Sequence, residues 1–457
     1  MMDTMSAARA VAGHVVGQNV HFARVVTDTR KLSPGDLFVA LPGERFDGHD
    51  FVPAAFERGA VAALVAEQRA DAIAGNLIAV ADPHRALLAL ARHWRGQFGI
   101  PVVVVVGSNG KTTVKEMTAA ILRAHFGEHV LATRGNLNNA IGLPLTLLGL
   151  REQHRAAVIE LGMNHRGETG ELAPIAQPTI ALINNAQREH QEFMQSVAGV
   201  AREHADLIRA LPPGGVAILN ADDAFIDVWR EAVRQKPGVG AVEFGLDHPA
   251  AVRARFSLDA AAPTLTLSTP AGDVTLKLAV PGRHTAANAL AAATAALSIG
   301  VSLEAVVRGL EVFRAVPGRL AAMRAQSGAA IIDDTYNANP DSVRAAVDVL
   351  GGAPSPKWLV LGDMGEVGAE GPAFHREVGA FARAAGIDRL LTTGALAAEA
   401  AAAFGDGADH FATVDALTRH VVATAGPEVT VLVKGSRFMQ MERVVAALTG
   451  QSAQGTH

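Results

Sequence analysis

The stretch Val102–Thr113, VVVVVGSNGKTT, sets five valines ahead of small residues, a lysine and two threonines. Where a strand turns into a helix in this way, successive backbone N–H groups and the positive helix end can cradle phosphate oxygens. Gly107 and Gly110 allow close backbone approach, and Ser108, Asn109 and Thr113 complete the turn. The Lys111 ammonium can reach β/γ oxygens, and the Thr112 hydroxyl can be placed on Mg²⁺. The usual phosphate loop has a further glycine where this chain has Val105. The loop is therefore short, and a plain strand-to-helix turn is the competing reading.

Four more stretches carry polar groups after apolar runs. AAVIELG ends on Glu160, and a carboxylate at the C-terminal end of a parallel strand can hold Mg²⁺. A solvated strand end is the alternative. INNAQREH follows another apolar run, so His190 can converge on the same sheet edge, with an ordinary surface or satisfied histidine as the alternative. IIDDTYNANPDS contributes Asp333, Asp334, Tyr336 (the chain's one tyrosine), Asn337 and Asn339, with Pro340 suited to a first helical position. The asparagines could equally serve as turn and capping residues. LVKGSRFMQME places Lys434, Ser436 and Arg437 in a turn able to receive an anion. A basic helix start opposes the helix dipole, which hints at a ligand.

The elements that must position these groups are legible as patterns. PVVVVVG, AAVIELG and TIALINNA are continuous apolar runs, the mark of parallel strands covered on both faces. KTTVKEMTAAILRAHFG has helical spacing and stops at Gly127. Residues up to about 97 mix short strands and helices, with a turn at Ser33-Pro34-Gly35. Near 252–280 the pattern alternates, with turns at Ala262-Pro263 and Pro270-Ala271-Gly272, which predicts antiparallel hairpins. Helices are expected near 284–299 and 303–313, then a linker, RAVPGR, ending at Arg319. AAIIDD, KWLVLGD, RLLTTG, HFATV and VTVLVKG follow as strands between helical runs, a second doubly wound unit. The tail TGQSAQGTH is polar and expected to fray.

Composition bounds the rest. At 457 residues about three domains are expected. A net charge of −5 disfavours nucleic acid as a partner. The absence of cysteine excludes disulfides, thiolate metal sites and a cysteine nucleophile. No signal peptide and no membrane span are read, so a cytoplasmic chain is expected. Nothing suggests more than a monomer.

In this order the pieces resemble the ATP-dependent Mur ligases, which build the peptide of bacterial cell-wall precursors. DTRKLSPGDLFVALPGERFDGHDFV resembles the family's uridine-nucleotide-binding N-terminal domain. GSNGKTT resembles its short phosphate loop. TRGNLNNAIGLPLTLL, ELGMNHRGE, PGRHTAANALAA and PGRL are similar to central-domain motifs. DDTYNANPDS, LGDMGEVG and KGSRFMQME resemble the branch that adds D-alanyl-D-alanine. The resemblance implies an α/β fold in three domains. Residues 1–97 would bind the UDP-sugar, and 98–314 would form a P-loop ATPase-type parallel-sheet domain with antiparallel hairpins. Residues 315–457 would form a Rossmann-like domain that closes on ATP and binds the dipeptide.

The implied reaction joins D-alanyl-D-alanine to UDP-N-acetylmuramoyl-tripeptide through an acyl phosphate, with ATP and Mg²⁺. Gly107 to Thr113 would bind phosphates, Thr112 and Glu160 one magnesium, and His190 a second. Asn288 would contact adenine, Arg319 phosphate and Asp334 ribose. Lys111, Glu160, His190 and Arg319 are the implied catalytic set. Asn136, Asn138 and Asn139 would line the acceptor side, and Thr29, Arg30, Asp47, Gly48 and His49 the UDP-sugar region. Tyr336, Asn337, Asn339, Lys434, Ser436 and Arg437 would lie by the peptide substrates.

Two departures stand out. Family members usually carry a lysine whose CO₂-derived carboxylate bridges magnesium. Here GVAREHADLI has Arg202, Glu203 and His204, and no lysine occurs between Lys115 and Lys236. Glu203 or His204 is expected to substitute, as ligand or orienting group. Thr285 stands where an asparagine is usual. Two other readings are a folylpolyglutamate-type ligase, opposed by the DTRKLSPGDLF region, and a non-catalytic ATP-binding protein.

Overall fold

The computed structural model describes residues 1–43, 45–189, 191–257 and 263–451. Its centre is the Val102–Val106 strand, every side chain of which is buried. Alternate valines feed two different cores. Val102, Val104 and Val106 face one, and Val103 and Val105 the other. That is why a run of β-branched residues suits this position, covered on both faces.

The strand pairs in parallel with Ala156–Glu160 on one side and Ile180–Ile183 on the other. Nine strands form this sheet. Val130–Ala132 lies beyond Ala156–Glu160. Val216–Asn220, Gly240–Gly245 and Val252–Ser257 continue in parallel on the opposite side. The expected hairpins complete it as antiparallel Val252–Ser257, Thr264–Thr269 and Gly272–Lys277, continuous with the main sheet. The expected turn residue Ala262 lies outside the described residues.

Helix Lys111–Phe126 follows the central strand and ends at Gly127 in a positive-φ conformation. It packs on helices Arg283–Leu297 and Leu303–Val312. Gly309 permits this contact, because a Cβ there would come within 2.4 Å of the Ile121 Cα.

A five-stranded sheet precedes the central one, in the order His14–Val16, Leu77–Val80, Ala62–Ala66, Leu37–Val39, Val25–Val26. Its apolar face, through Leu64 and Ile78, joins Leu87 and Leu90 of helix Pro83–Arg95 in the same core as Leu143, Leu147 and Ile159. This shared core fixes the first sheet against the second.

The last sheet has six strands, ordered Ala321–Arg324, Ala330–Asp334, Thr430–Lys434, Lys357–Leu361, Arg389–Thr393, Ala408–Phe411. The strand last in sequence lies near the middle, so KGSR emerges beside DDTYNANP. Two details differ from the sequence reading. An antiparallel edge strand, Ala321–Arg324, was not foreseen. The HFATV strand ends at Phe411, because Thr413 caps the next helix through a bond to the Ala416 N–H. Of the tail expected to fray, residues 452–457 lie outside the described residues. No helix among the described residues is long and apolar enough to cross a membrane.

Candidate active site

The Gly107–Thr113 turn has the local geometry that can receive an anion. Helix Lys111–Phe126 starts at Gly110 with no side-chain cap and no acidic residue in its first turn. Its first N–H groups therefore have no intrahelical partner, and its positive end is uncompensated. Gly110 has φ +81°, and a Cβ there would meet the Asn288 Oδ1 at 2.5 Å. Gly107 has φ +148° and packs on Asn184. The Asn109 N–H donates to Asn185 Oδ1 at 2.9 Å, and the Ser108 N–H to the Asn185 carbonyl. The Lys111 ammonium donates to the Gly107 carbonyl and, at 3.1 Å, to the Glu189 carboxylate.

Topology puts Glu160 beside this loop, because its strand neighbours Val102–Val106 in register. Glu160 is buried. One carboxylate oxygen accepts from Asn138 Nδ2 at 2.8 Å. The other, also buried, has no hydrogen-bond partner among the described residues. An ionised oxygen left so is costly without a cation. Among the described residues no three His, Asp or Glu side chains gather to hold a metal unaided. Mg²⁺ bound to a nucleotide needs only one or two carboxylates beside the phosphates. Glu160 and the Thr112 hydroxyl fit that donor set. His190 lies outside the described residues.

A cavity of about 620 Å³ joins these groups to the C-terminal sheet. One wall carries Ser108 to Thr113, Asn138, Asn139, Glu160, Glu189 and Asn288. The other carries Arg319, Asp334, Tyr336, Asn337, Asn339 and Lys434. The Arg319 guanidinium lies 4.0 Å over the Tyr336 ring, and its Nε has no hydrogen-bond partner among the described residues. Asp334 accepts from the Leu320 N–H and from the Lys434 ammonium, which also donates to the Asn337 carbonyl. Burial pushes the Asp334 carboxyl up, against the pull of Lys434. His284 lines the cavity too, and burial, then the Lys434 charge, lower its pKa to about 4.

The two walls touch directly. Asn339 caps helix Pro340–Gly351, as its alternative reading had it, yet its Nδ2 also donates to Asn109 Oδ1 at 2.9 Å. Arg188 makes a second bridge. Its backbone N–H and guanidinium both bond Asp341, and the guanidinium also pairs with Glu377 at 2.7 Å. Gln187, one residue before, accepts from Asn109 Nδ2 at 2.6 Å and donates its N–H to Ser108 Oγ.

Other expected residues lie apart from this cavity's lining. Asn136 is exposed, though Asn138 and Asn139 face the cavity. Ser436 braces the wall from behind, accepting from the Gly365 N–H and donating to the Ala338 carbonyl. Arg437 is half-exposed and pairs with Glu442. Thr29 and Arg30 sit on an exposed turn capped by Asp28. Asp47 and His49 line a second, smaller cavity with Arg69 and His84, and His84 also lines the first. The Ala66 N–H donates to His49 Nε2, so Nδ1 carries the proton and donates to Asp47. Gly48 is needed there, because a Cβ would meet the Leu41 backbone at 2.6 Å. Thr285 is buried and donates to the Pro281 carbonyl.

Glu203 requires a correction as a metal ligand. Its two oxygens accept from the Gly167 and Thr169 N–H groups, at 2.9 and 2.8 Å. It caps helix Glu168–Ala176 and is not in the cavity lining. His204 is buried behind Glu189 rather than in the lining. The residues sequence reasoning missed are Asn184, Asn185, Gln187, Arg188 and Glu189. All stand in the INNAQREH stretch, where only His190 was weighed. Their place just beyond a buried parallel strand was the available signal.

The chain matches three family models. They are the Mur ligase family catalytic domain at residues 21–95, the Mur ligase middle domain at 105–296, and the Mur ligase glutamate ligase domain at 318–437. It is 44% identical over 443 residues to the UDP-N-acetylmuramoyl-tripeptide–D-alanyl-D-alanine ligase of Escherichia coli, covering 95% of this chain and 96% of that one. It superposes on a crystal structure of MurF from Acinetobacter baumannii with TM-score 0.90 and 34% identity, covering 99% of this chain and 100% of that one. The Thermotoga maritima MurF ligase in complex with ADP gives TM-score 0.82 and 26% identity, with 93% and 96% covered.

Proposed function

The chain belongs to the Mur ligase family, and from that premise we propose that it joins D-alanyl-D-alanine to UDP-N-acetylmuramoyl-tripeptide in an ATP-dependent step of peptidoglycan precursor synthesis. One observation carries the reading. The phosphate loop and Glu160 share a single cavity with Arg319, Asp334 and Tyr336 from the opposite sheet.

The chemistry explains why two walls are needed. A free carboxylate cannot form an amide in water, because oxide is a very poor leaving group. Phosphoryl transfer from ATP to the tripeptide carboxylate gives an acyl phosphate and ADP. The dipeptide amine then attacks the acyl carbon, and inorganic phosphate leaves. Lys111 and the loop N–H groups stabilise charge on the transferring group. Thr112 and Glu160 would hold Mg²⁺, which neutralises phosphate charge, with His190 as a further ligand. Arg319 takes the nucleotide phosphates and Asp334 the ribose from across the cavity. Asn288 serves the adenine from a position against the loop. Asn138 and Asn139 face the acceptor, and the turn at Lys434 faces the peptide. An acyl phosphate hydrolyses readily, so the meeting of the walls at Asn109–Asn339 and Arg188–Asp341 also serves to exclude water.

We take 1–97, with its second cavity at Asp47 and His49, as the UDP-sugar unit. Residues 98–314 are the ATP unit and 315–457 the closing unit. All the proposed walls come from one chain, so a cytoplasmic monomer suffices. The test is phosphate release. It should require UDP-N-acetylmuramoyl-tripeptide and D-alanyl-D-alanine together with ATP. A protein that binds ATP but releases no phosphate with both substrates present would overturn the reading.

A further inference from the structure

Lys115 is a charged group that the ligation scheme leaves unused. It stands one turn beyond Lys111 on helix Lys111–Phe126, and its side chain is fully buried. Taking an ammonium out of water is costly unless acceptors meet it. Its acceptors are the Glu116 carboxylate and, at 2.8 Å, the Thr133 carbonyl. Thr133 is itself buried and follows strand Val130–Ala132. Its N–H donates to the Val158 carbonyl at 3.0 Å, and its hydroxyl accepts from the Glu160 N–H at 2.9 Å. Further along the same loop, the Asn138 amide donates to the Glu160 carboxylate, and the Asn138 carbonyl accepts from the Gly162 N–H. Segment 133–138 therefore grips Glu160 at its backbone and at its carboxylate. Lys115 ties that segment to the helix that begins with Lys111 and Thr112. Neither Lys115 nor Thr133 belongs to the cavity lining.

We propose that Lys115 is a positioning residue for the metal–nucleotide site, setting the spacing between the Thr112 hydroxyl and the Glu160 carboxylate through Thr133. The proposal rests on the reading of this cavity as the ATP site. Thr112 and Lys115 are three residues apart and share a helix face. The bond from Lys115 to Thr133 therefore fixes the face that carries the Thr112 hydroxyl against the loop that holds Glu160. An apolar side chain of similar volume could fill the space but could not hold a carbonyl. A site of this kind depends on supporting hydrogen bonds that keep its donors in place, and small misplacements are costly.

The experiment uses the full chain and Mn²⁺ with a non-hydrolysable ATP analogue, with bound Mn²⁺ counted by electron paramagnetic resonance. Lys115→Met, which keeps most of the stem and removes the ammonium, should weaken Mn²⁺ binding in the ternary complex at least fivefold. Metal-free ADP binding should change less than threefold, because the loop N–H groups are untouched. Thr133→Val removes the hydroxyl at nearly constant volume and should reproduce the metal loss. Thr133→Ser keeps the hydroxyl and should stay within twofold of the parent. In the double variant Lys115→Met with Thr133→Val, the combined loss should fall well short of the product of the single losses, because both act along one chain of bonds. A merely structural lysine would lower the melting temperature and leave Mn²⁺ affinity within twofold at a temperature where the variant is folded. Should Lys115→Met fail to fold, the two Thr133 variants carry the test, since Lys115 acts through Thr133. Glu160→Gln is the control for the site itself. If Glu160→Gln weakens Mn²⁺ while Lys115→Met or Thr133→Val leaves it within twofold, the cavity reading stands and this proposal fails. If Glu160→Gln leaves Mn²⁺ unchanged, the cavity reading fails and takes the proposal with it.

Discussion

Replacing Arg188 by methionine keeps most of the apolar stem and removes the charge that bridges the two walls. Arg188 is about one-fifth exposed and pairs with Asp341 and Glu377. Its guanidinium stays charged, held so by Glu377 first and then Asp341. The substitution leaves the backbone N–H bond to Asp341 in place. Glu377 retains Arg344 at 2.9 Å, and Asp341 retains the start of helix Pro340–Gly351. Neither carboxylate is stranded, so the loss is the bridge itself. Charge-assisted hydrogen bonds contribute roughly 1.5–3 kcal/mol when well placed, and partial exposure screens them. A loss of about 2–3 kcal/mol from closure is expected, or roughly 30- to 150-fold in the closed-to-open ratio at about 1.4 kcal/mol per tenfold. Two assays read it. Small-angle scattering with an ATP analogue should show a larger radius of gyration in the variant. Steady-state ligation should show a lower kcat, because Arg319 and Asp334 reach the nucleotide only when the two walls meet. An Arg188→Met protein with kcat within twofold of the parent and unchanged scattering would refute the idea that this bridge couples the walls.

Lys111→Ala should abolish ligation by about a hundredfold or more in kcat while the circular dichroism spectrum is retained; near-normal turnover would sink the phosphoryl-transfer role. Gly110→Ala combines φ +81° with a Cβ 2.5 Å from Asn288 Oδ1, so about 1–3 kcal/mol of stability and most nucleotide affinity should be lost, read by thermal melts and ADP titration. His284 gives a pH signature. Its folded pKa is about 4 against 6.5 when unfolded, so the unfolded chain takes up the proton first. Stability should fall as pH drops from about 6.5 toward 4, by up to about 3 kcal/mol, and level off below. His284→Gln should flatten that part of a denaturant-midpoint-versus-pH curve, and an unchanged slope would assign the acid sensitivity elsewhere.

Much of the site was legible before any tertiary structure. A run of β-branched valines ahead of a glycine reads as a doubly covered strand, and glycines before a lysine and threonine leave a helix start that can receive an anion. Glu160 was found because strand ends at a parallel-sheet edge face one place. The short-range pattern of 252–280 was likewise enough for its hairpins.

What local pattern could not supply was adjacency. KGSR and DDTYNANP are about a hundred residues apart, and only the strand order, with Thr430–Lys434 beside Ala330–Asp334, brings Lys434 onto Asp334. Glu203 and His204 are consecutive in sequence, yet a helix turns successive side chains through about 100°. One caps a neighbouring helix and the other backs Glu189. The sequence by itself determined which residue types stand at which strand ends, because periodicity and turn chemistry are local. Only the tertiary structure decided which of those ends meet, and so which carboxylate faces Lys111, because that depends on strand order and packing across hundreds of residues.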